Sequence, residues 1–90
     1  MKRVHVVFRG RVQGVFFRAH TKEFADEAGV RGWVRNMPDG SVEAMFEGED
    51  LAVDDTIRRC REDQPHARVE EVHLTLETYK GDFKEFSVRH

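Results

Sequence analysis

Two hydrophobic periods meet across one short stretch of this chain. Val4, Val6 and Phe8 recur at every second residue, which is the spacing of a strand with one apolar face. From Phe17 onward the positions Phe17, Thr21, Phe24, Ala25 and Ala28 recur at helical spacing, with Lys22, Glu23, Asp26 and Glu27 on the opposite side. Between them lies Gly10-Arg11-Val12-Gln13-Gly14-Val15-Phe16-Phe17-Arg18. A strand that passes through a glycine-bounded loop into a helix leaves unpaired backbone N–H groups at the helix start, and such a start suits an anion. It also places Arg18 in the first helical turn, the partly positive end of the helix dipole.

The same two periods order the rest of the chain. Gly29 stands where a helix ends in a left-handed residue. Val30 to Asn36 reads as a second strand, Met37-Pro38-Asp39-Gly40 as a turn, and Val42, Ala44 and Phe46 as a third strand that completes a hairpin. Asp50 is placed to cap a second helix whose apolar stripe is Val53, Ile57 and Cys60, and Pro65 stops it. Val72, Leu74 and Leu76 alternate in a fourth strand. Lys80-Gly81-Asp82 reads as a turn before a short last strand with Phe86 and Val88.

This β-α-β-β-α-β order, with a terminal β, predicts a ferredoxin-like α+β sandwich: an antiparallel sheet with both helices on one face. Its first two strands run parallel through a right-handed crossover, with the third strand between them. Their C-terminal ends then share one edge of the sheet, about 10 Å apart. The Gly10–Arg18 loop leaves one of those ends and Asn36 closes the other. Arg18 and Asn36 can therefore converge on a small ligand.

Ninety residues make one domain, 1–90, with a globular share of apolar (39%) and charged (36%) residues. The net charge of −2 argues against a nucleic-acid partner, which calls for a basic face. The single cysteine, Cys60, forms no intramolecular disulfide and reads as a small core residue. No apolar run is long enough to span a bilayer, and no signal peptide precedes the first strand, so a reducing, cytoplasmic location is expected.

Local alternatives bear on each candidate. The loop lacks the Gly-Lys-Ser/Thr of a P-loop and the spacing of a dinucleotide fingerprint. Two glycines four apart also suit an ordinary strand-to-helix turn. Arg18 could pair with Glu23 or Asp26 on the helix surface, and Asn36 could cap the turn that follows it. The histidines His5, His20, His66, His73 and His90 show no metal-binding spacing. Glu49-Asp50 and Asp54-Asp55 read as helix-start charges, and Phe16, Phe17, Phe24 and Trp33 as core or pocket wall.

Over essentially its whole length the chain resembles the acylphosphatase family. Gly10-x-Val12-Gln13-Gly14-Val15-x-Phe17-Arg18 is similar to the family's first signature. Gly32-Trp33-Val34-Arg35-Asn36, with Gly40-x-Val42 and Gly48, is similar to its second. Phe8 replaces the family's usual aliphatic residue, and Phe16 fills a variable position. The resemblance implies hydrolysis of acyl phosphates to carboxylate and inorganic phosphate, without metal or cofactor. It implies Arg18 as the phosphate-binding arginine and Asn36 as the residue that orients the attacking water. The backbone N–H groups of Gln13, Gly14, Val15, Phe16 and Phe17 would form the phosphate cradle. The partners expected are a small acyl phosphate and inorganic phosphate as product and inhibitor, with no nucleic acid and no membrane, for a monomer.

RNA-recognition domains share the element order, and Arg31-Gly32-Trp33-Val34 faintly resembles one of their motifs. Here it falls on the second strand, whereas those domains carry it on the third. A regulatory ligand-binding domain of the same shape is the other reading that fold alone leaves open.

Overall fold

The computed structural model describes residues 1–90. The elements are β1 (Lys2–Arg11), α1 (Phe17–Ala28), β2 (Arg31–Asn36), β3 (Val42–Gly48), α2 (Asp50–Glu62), β4 (Arg68–Glu77) and β5 (Phe86–Arg89). They form one five-stranded sheet in the order β4-β1-β3-β2-β5, with the helices packed across it as the ferredoxin-like plan requires. Helix α1 lies over β2 and β5, and α2 lies over β1, β3 and β4.

The sheet is antiparallel except at one edge, where β5 runs parallel to β2. The reason lies in where β4 ends. Glu77 sits opposite Arg3 at the far edge, so the chain must cross beneath the sheet to reach β2 and then turn upward. The segment 78–85 makes that crossing, so Lys80-Gly81-Asp82 is not a hairpin turn. Buried Arg3 and Glu47 hold the crossing segment. Arg3 Nη1 donates to Glu47 and to Asp82, both at 3.3 Å, and the guanidinium lies 4.7 Å from the Phe83 ring centroid. The Lys80 amide donates to Glu47 at 3.0 Å.

Helix boundaries follow local chemistry with one correction. Gly29 ends α1 in the left-handed region, its amide donating back to Ala25 and Asp26. Glu49, not Asp50, is the N-cap of α2. Asp50 is the first helical residue, and its carboxylate pairs with the Met1 amine at 3.1 Å.

One core of 17 buried residues joins the sheet to both helices, and it includes Val12 and Val15 from the loop before α1. The loop is thus anchored at two points rather than free. Phe8 packs against Phe17 at 5.1 Å between ring centroids, and Phe46 stacks on Phe86 at 5.6 Å, which secures the short β5. Trp33 is not in this core. It stands on the open face of the sheet, between Arg35 and Arg89 at 5.3 and 4.6 Å, which corrects the expectation of a core or pocket role. At the β4 edge Leu74 and Leu76 stay largely exposed, because α2 covers only part of that strand.

Candidate active site

The register of the sheet fixes the site. Val42 of β3 faces Phe8 of β1 on one side and Asn36 of β2 on the other. Asn36 therefore stands level with Phe8, two strands away, and directly opposed residues share a face of the sheet. Asn36 projects on the side of Phe8 and Val42, the helix-covered side. Arg35 pairs with Arg89, so β5 also finishes at this edge. The parallel crossing of β5 thus brings a third strand end to the edge where β1 and β2 finish.

The loop that leaves β1 is shaped by two glycines. A Cβ on Gly10 would lie 2.3 Å from the Arg68 carbonyl oxygen, where the β1–β4 register shifts between Arg9 and Gly10. Gly14 takes φ 73° in open space, so there the demand is on backbone conformation alone. None of the amides from Gln13 to Phe16 donates to a backbone carbonyl. The first amides of α1 likewise have no helical acceptor ahead of them, and no acidic side chain occupies the first turn.

Long-range hydrogen bonds hold the parts together. The Gln13 side-chain amide donates to the carbonyls of Met37 and Ser41, both at 2.8 Å, clamping the loop to the turn behind Asn36. That turn is capped by Asp39, which accepts from the Ser41 amide at 3.0 Å and its hydroxyl at 2.6 Å. The two Ser41 bonds hold the Asp39 carboxyl below its ordinary value. Asp39 does the local work that Asn36 was eligible for, and Asn36 stays exposed at the edge. On the other side, buried Gln64 donates to the Phe17 carbonyl at 3.1 Å and to Thr21 at 2.9 Å, pinning the first turn of α1 to the end of α2.

A cleft of about 420 Å³ opens here, and Gly14, Phe16, Arg18, Asn36, Val88 and His90 are among its walls. Arg18 does not pair with Glu23 or Asp26. Its Nη1 donates to the Arg89 carbonyl at 2.8 Å and lies 3.3 Å from His90 Nδ1. The guanidinium is therefore tethered at the end of β5, in the cleft that Asn36 also lines. Of the five residues expected to form the cradle, Gly14, Phe16 and Phe17 line the cleft, whereas the Gln13 side chain serves the turn and Val15 is buried in the core. No Asp or Glu side chain lines the cleft.

Sequence reasoning missed three contributors: the Gln13 side chain, Gln64, and the Arg89–His90 end of β5. All three act across long sequence separations, and no local period marks them. The other reactive group of interest, Cys60, is outside the site. Burial pushes its thiol up to about 12, and it donates to Thr21 at 3.4 Å, so it is a core residue as expected.

These features define an α+β protein with an arginine-bearing cleft at one sheet edge. The acylphosphatase family model matches residues 4–88. The chain is 58% identical over 88 residues to an acylphosphatase of Rubrobacter xylanophilus, covering 98% of this chain and 80% of that one. It is 52% identical to an acylphosphatase of Syntrophus aciditrophicus, covering 98% and 92%. The crystal structure of the acylphosphatase from Bacillus subtilis superposes over the full length of both chains with a TM-score of 0.95 at 30% identity. The chain belongs to the acylphosphatase family, and the activity of that family is the hydrolysis of acyl phosphates.

Proposed function

We propose that this chain, as one domain over residues 1–90, hydrolyses the carboxyl–phosphate bond of acyl phosphates through Arg18 and Asn36, without a metal. The observation that carries this reading is the sheet register, which sets Asn36 at the edge where Arg18 is tethered. The phosphoryl oxygens bind the amides from Gln13 to Phe17 and the Arg18 N–H groups not used by Arg89. A ring of amides with one guanidinium supplies the charge neutralisation that phosphoryl transfer needs. The Asn36 amide orients a water in line with the acyl oxygen. The water oxygen bonds to phosphorus as the bond from phosphorus to the acyl oxygen breaks, and the carboxylate leaves with the electron pair. Asparagine is no base, so the water's proton passes to a phosphate oxygen or to solvent.

The donor set supports a metal-free reaction. A Mg²⁺ site uses carboxylates with near-octahedral oxygens, and the cleft walls supply none of these side chains. Inorganic phosphate, the product, competes for the same cradle. No helix is long and apolar enough to cross a membrane. The single buried thiol fits a reducing cytoplasm, and we infer a monomer. Nucleic acid finds no stacking platform at Trp33, whose ring is already flanked by Arg35 and Arg89.

The test is the loss of benzoyl phosphate followed by ultraviolet absorbance, with and without EDTA. Hydrolysis that EDTA leaves intact is expected. No hydrolysis above background would sink the enzyme reading, and loss of activity in EDTA would sink the metal-free mechanism.

A further inference from the structure

Phe16 violates three local preferences at once. It is the N-cap of α1, where a short polar side chain or glycine is favoured, and its side chain makes no capping bond. Its backbone is left-handed, φ 59° and ψ 25°, a conformation that bulky residues rarely adopt. Its ring is 76% exposed. The backbone is nevertheless held firmly: the Phe16 carbonyl accepts from the His20 amide at 3.1 Å and lies 2.9 Å from His20 Nδ1. Phe16 forms part of the cleft wall that Arg18, Asn36 and Val88 share. Strain of this kind in the wall of a cleft points to a role in binding rather than in folding.

The cleft is also larger than its polar machinery requires. About 420 Å³ falls within the range of small-molecule sites, roughly 300–1,000 Å³, and a phosphoryl group fills a small part of it. The apolar part of the wall is Val12, Phe16, Phe17, Ala19 and Val88, and among these Phe16 is the large exposed side chain. We propose that the Phe16 side chain forms the acyl-group subsite of the cleft and selects substrates whose acyl group is aromatic or extended and apolar over acetyl phosphate. This rests on the hydrolase reading above. It assigns the Phe16 ring a specificity role separate from the backbone amide of the same residue.

The experiment compares kcat/KM for benzoyl phosphate and acetyl phosphate in the wild type and in Phe16→Ala, Phe16→Leu and Phe16→Gly. The wild type should prefer benzoyl phosphate. Phe16→Ala should lower the benzoyl-to-acetyl ratio about tenfold, mainly through KM, the scale of one lost apolar contact in a pocket. Phe16→Leu should retain most of the preference, because it keeps an apolar wall. Phe16→Gly should lose the preference while its melting temperature rises, since glycine accepts the left-handed backbone. A ratio unchanged in Phe16→Ala, or both substrates falling by one common factor, overturns the proposal. Failure of the wild type to hydrolyse either substrate is a different result: it removes the hydrolase reading, and the subsite with it.

Discussion

Helix α2 carries Glu49 at its N-cap and Asp50 in its first turn, with Arg59 and Arg61 in its last. Helix α1 has no acidic residue in its first turn and no basic residue in its last, and its first turn carries Arg18. The first arrangement complements the helix dipole with the protein's own charges; the second leaves the positive end uncompensated and adds a cation to it. Neither helix has a side-chain cap bond, so capping does not explain the contrast. Both starts are tied to the rest of the fold, α2 through the Asp50–Met1 pair and α1 through Gln64 and the Arg18–Arg89 bond. What differs is the sign each start presents. Helix α2 meets its dipole with its own charges, whereas α1 leaves its positive end open toward the cleft.

Arg18→Gln removes the cation that makes α1 unlike α2, and it should have the largest effect. A fall in kcat/KM of about 10³-fold or more is expected, on the scale of losing a phosphoryl-neutralising arginine, together with lost inhibition by phosphate. Steady-state kinetics with phosphate titration reads both. Asn36→Ala leaves the α1 cradle whole and takes away the group that aims the water. Its kcat should fall about 10²-fold while phosphate inhibition stays close to wild type, because orientation rather than binding is lost. Equal losses in both quantities would place Asn36 in binding instead.

Ala19→Glu gives α1 the first-turn carboxylate that α2 already has. Activity should fall about tenfold or more as the carboxylate competes for the cradle, while unfolding free energy rises by about 0.3–1 kcal/mol. The converse change, Asp50→Lys, should cost about 0.5–1 kcal/mol in denaturant unfolding and leave kcat/KM unaltered. If Ala19→Glu weakens the fold, the view that α1 is electrostatically incomplete is wrong.

The smallest effect concerns pH and lies outside both helix starts. Burial works to raise the Glu43 carboxyl, but hydrogen bonds with His5 at 2.7 Å and Arg35 at 2.6 Å outweigh it, so the group sits below its ordinary value. A depressed carboxylate contributes stability above its unfolded value, and that contribution drains as pH falls through the acid range below about 4.5. Asp39, held low by Ser41, titrates in the same direction. Melting temperature should therefore fall with pH in that range, and Glu43→Gln should flatten the slope.

The sheet ends teach a second lesson about the same cleft. The fourth and fifth strands were legible as strands, but not their places. A four-residue strand carries too little pattern to say which neighbour it joins, and β5 reaches its parallel place beside β2 through the crossing segment 78–85, which Arg3 and Glu47 hold. That pairing delivers the Arg89 carbonyl to Arg18. Similarly, nothing in the spacing of Gln13 announces that its side chain would clamp a turn 24 and 28 residues away. Asp50 looked like a cap because the residue type is right. One position of slippage made it the first helical residue, and its partner is the chain's own N-terminus.

The sequence alone determined the element order, the ferredoxin-like plan, the glycine loop and the pairing of Arg18 with Asn36 at one edge. Each of these rests on local periodicity, on turn chemistry or on the fixed hand of a β-α-β crossover. The tertiary structure decided how Arg18 is aimed, what holds the loop to the turn, and that the Phe16 ring stands exposed over the cleft. Those depend on strand register and on hydrogen bonds across much of the chain, and such contacts exist only once the sheet has closed around its core.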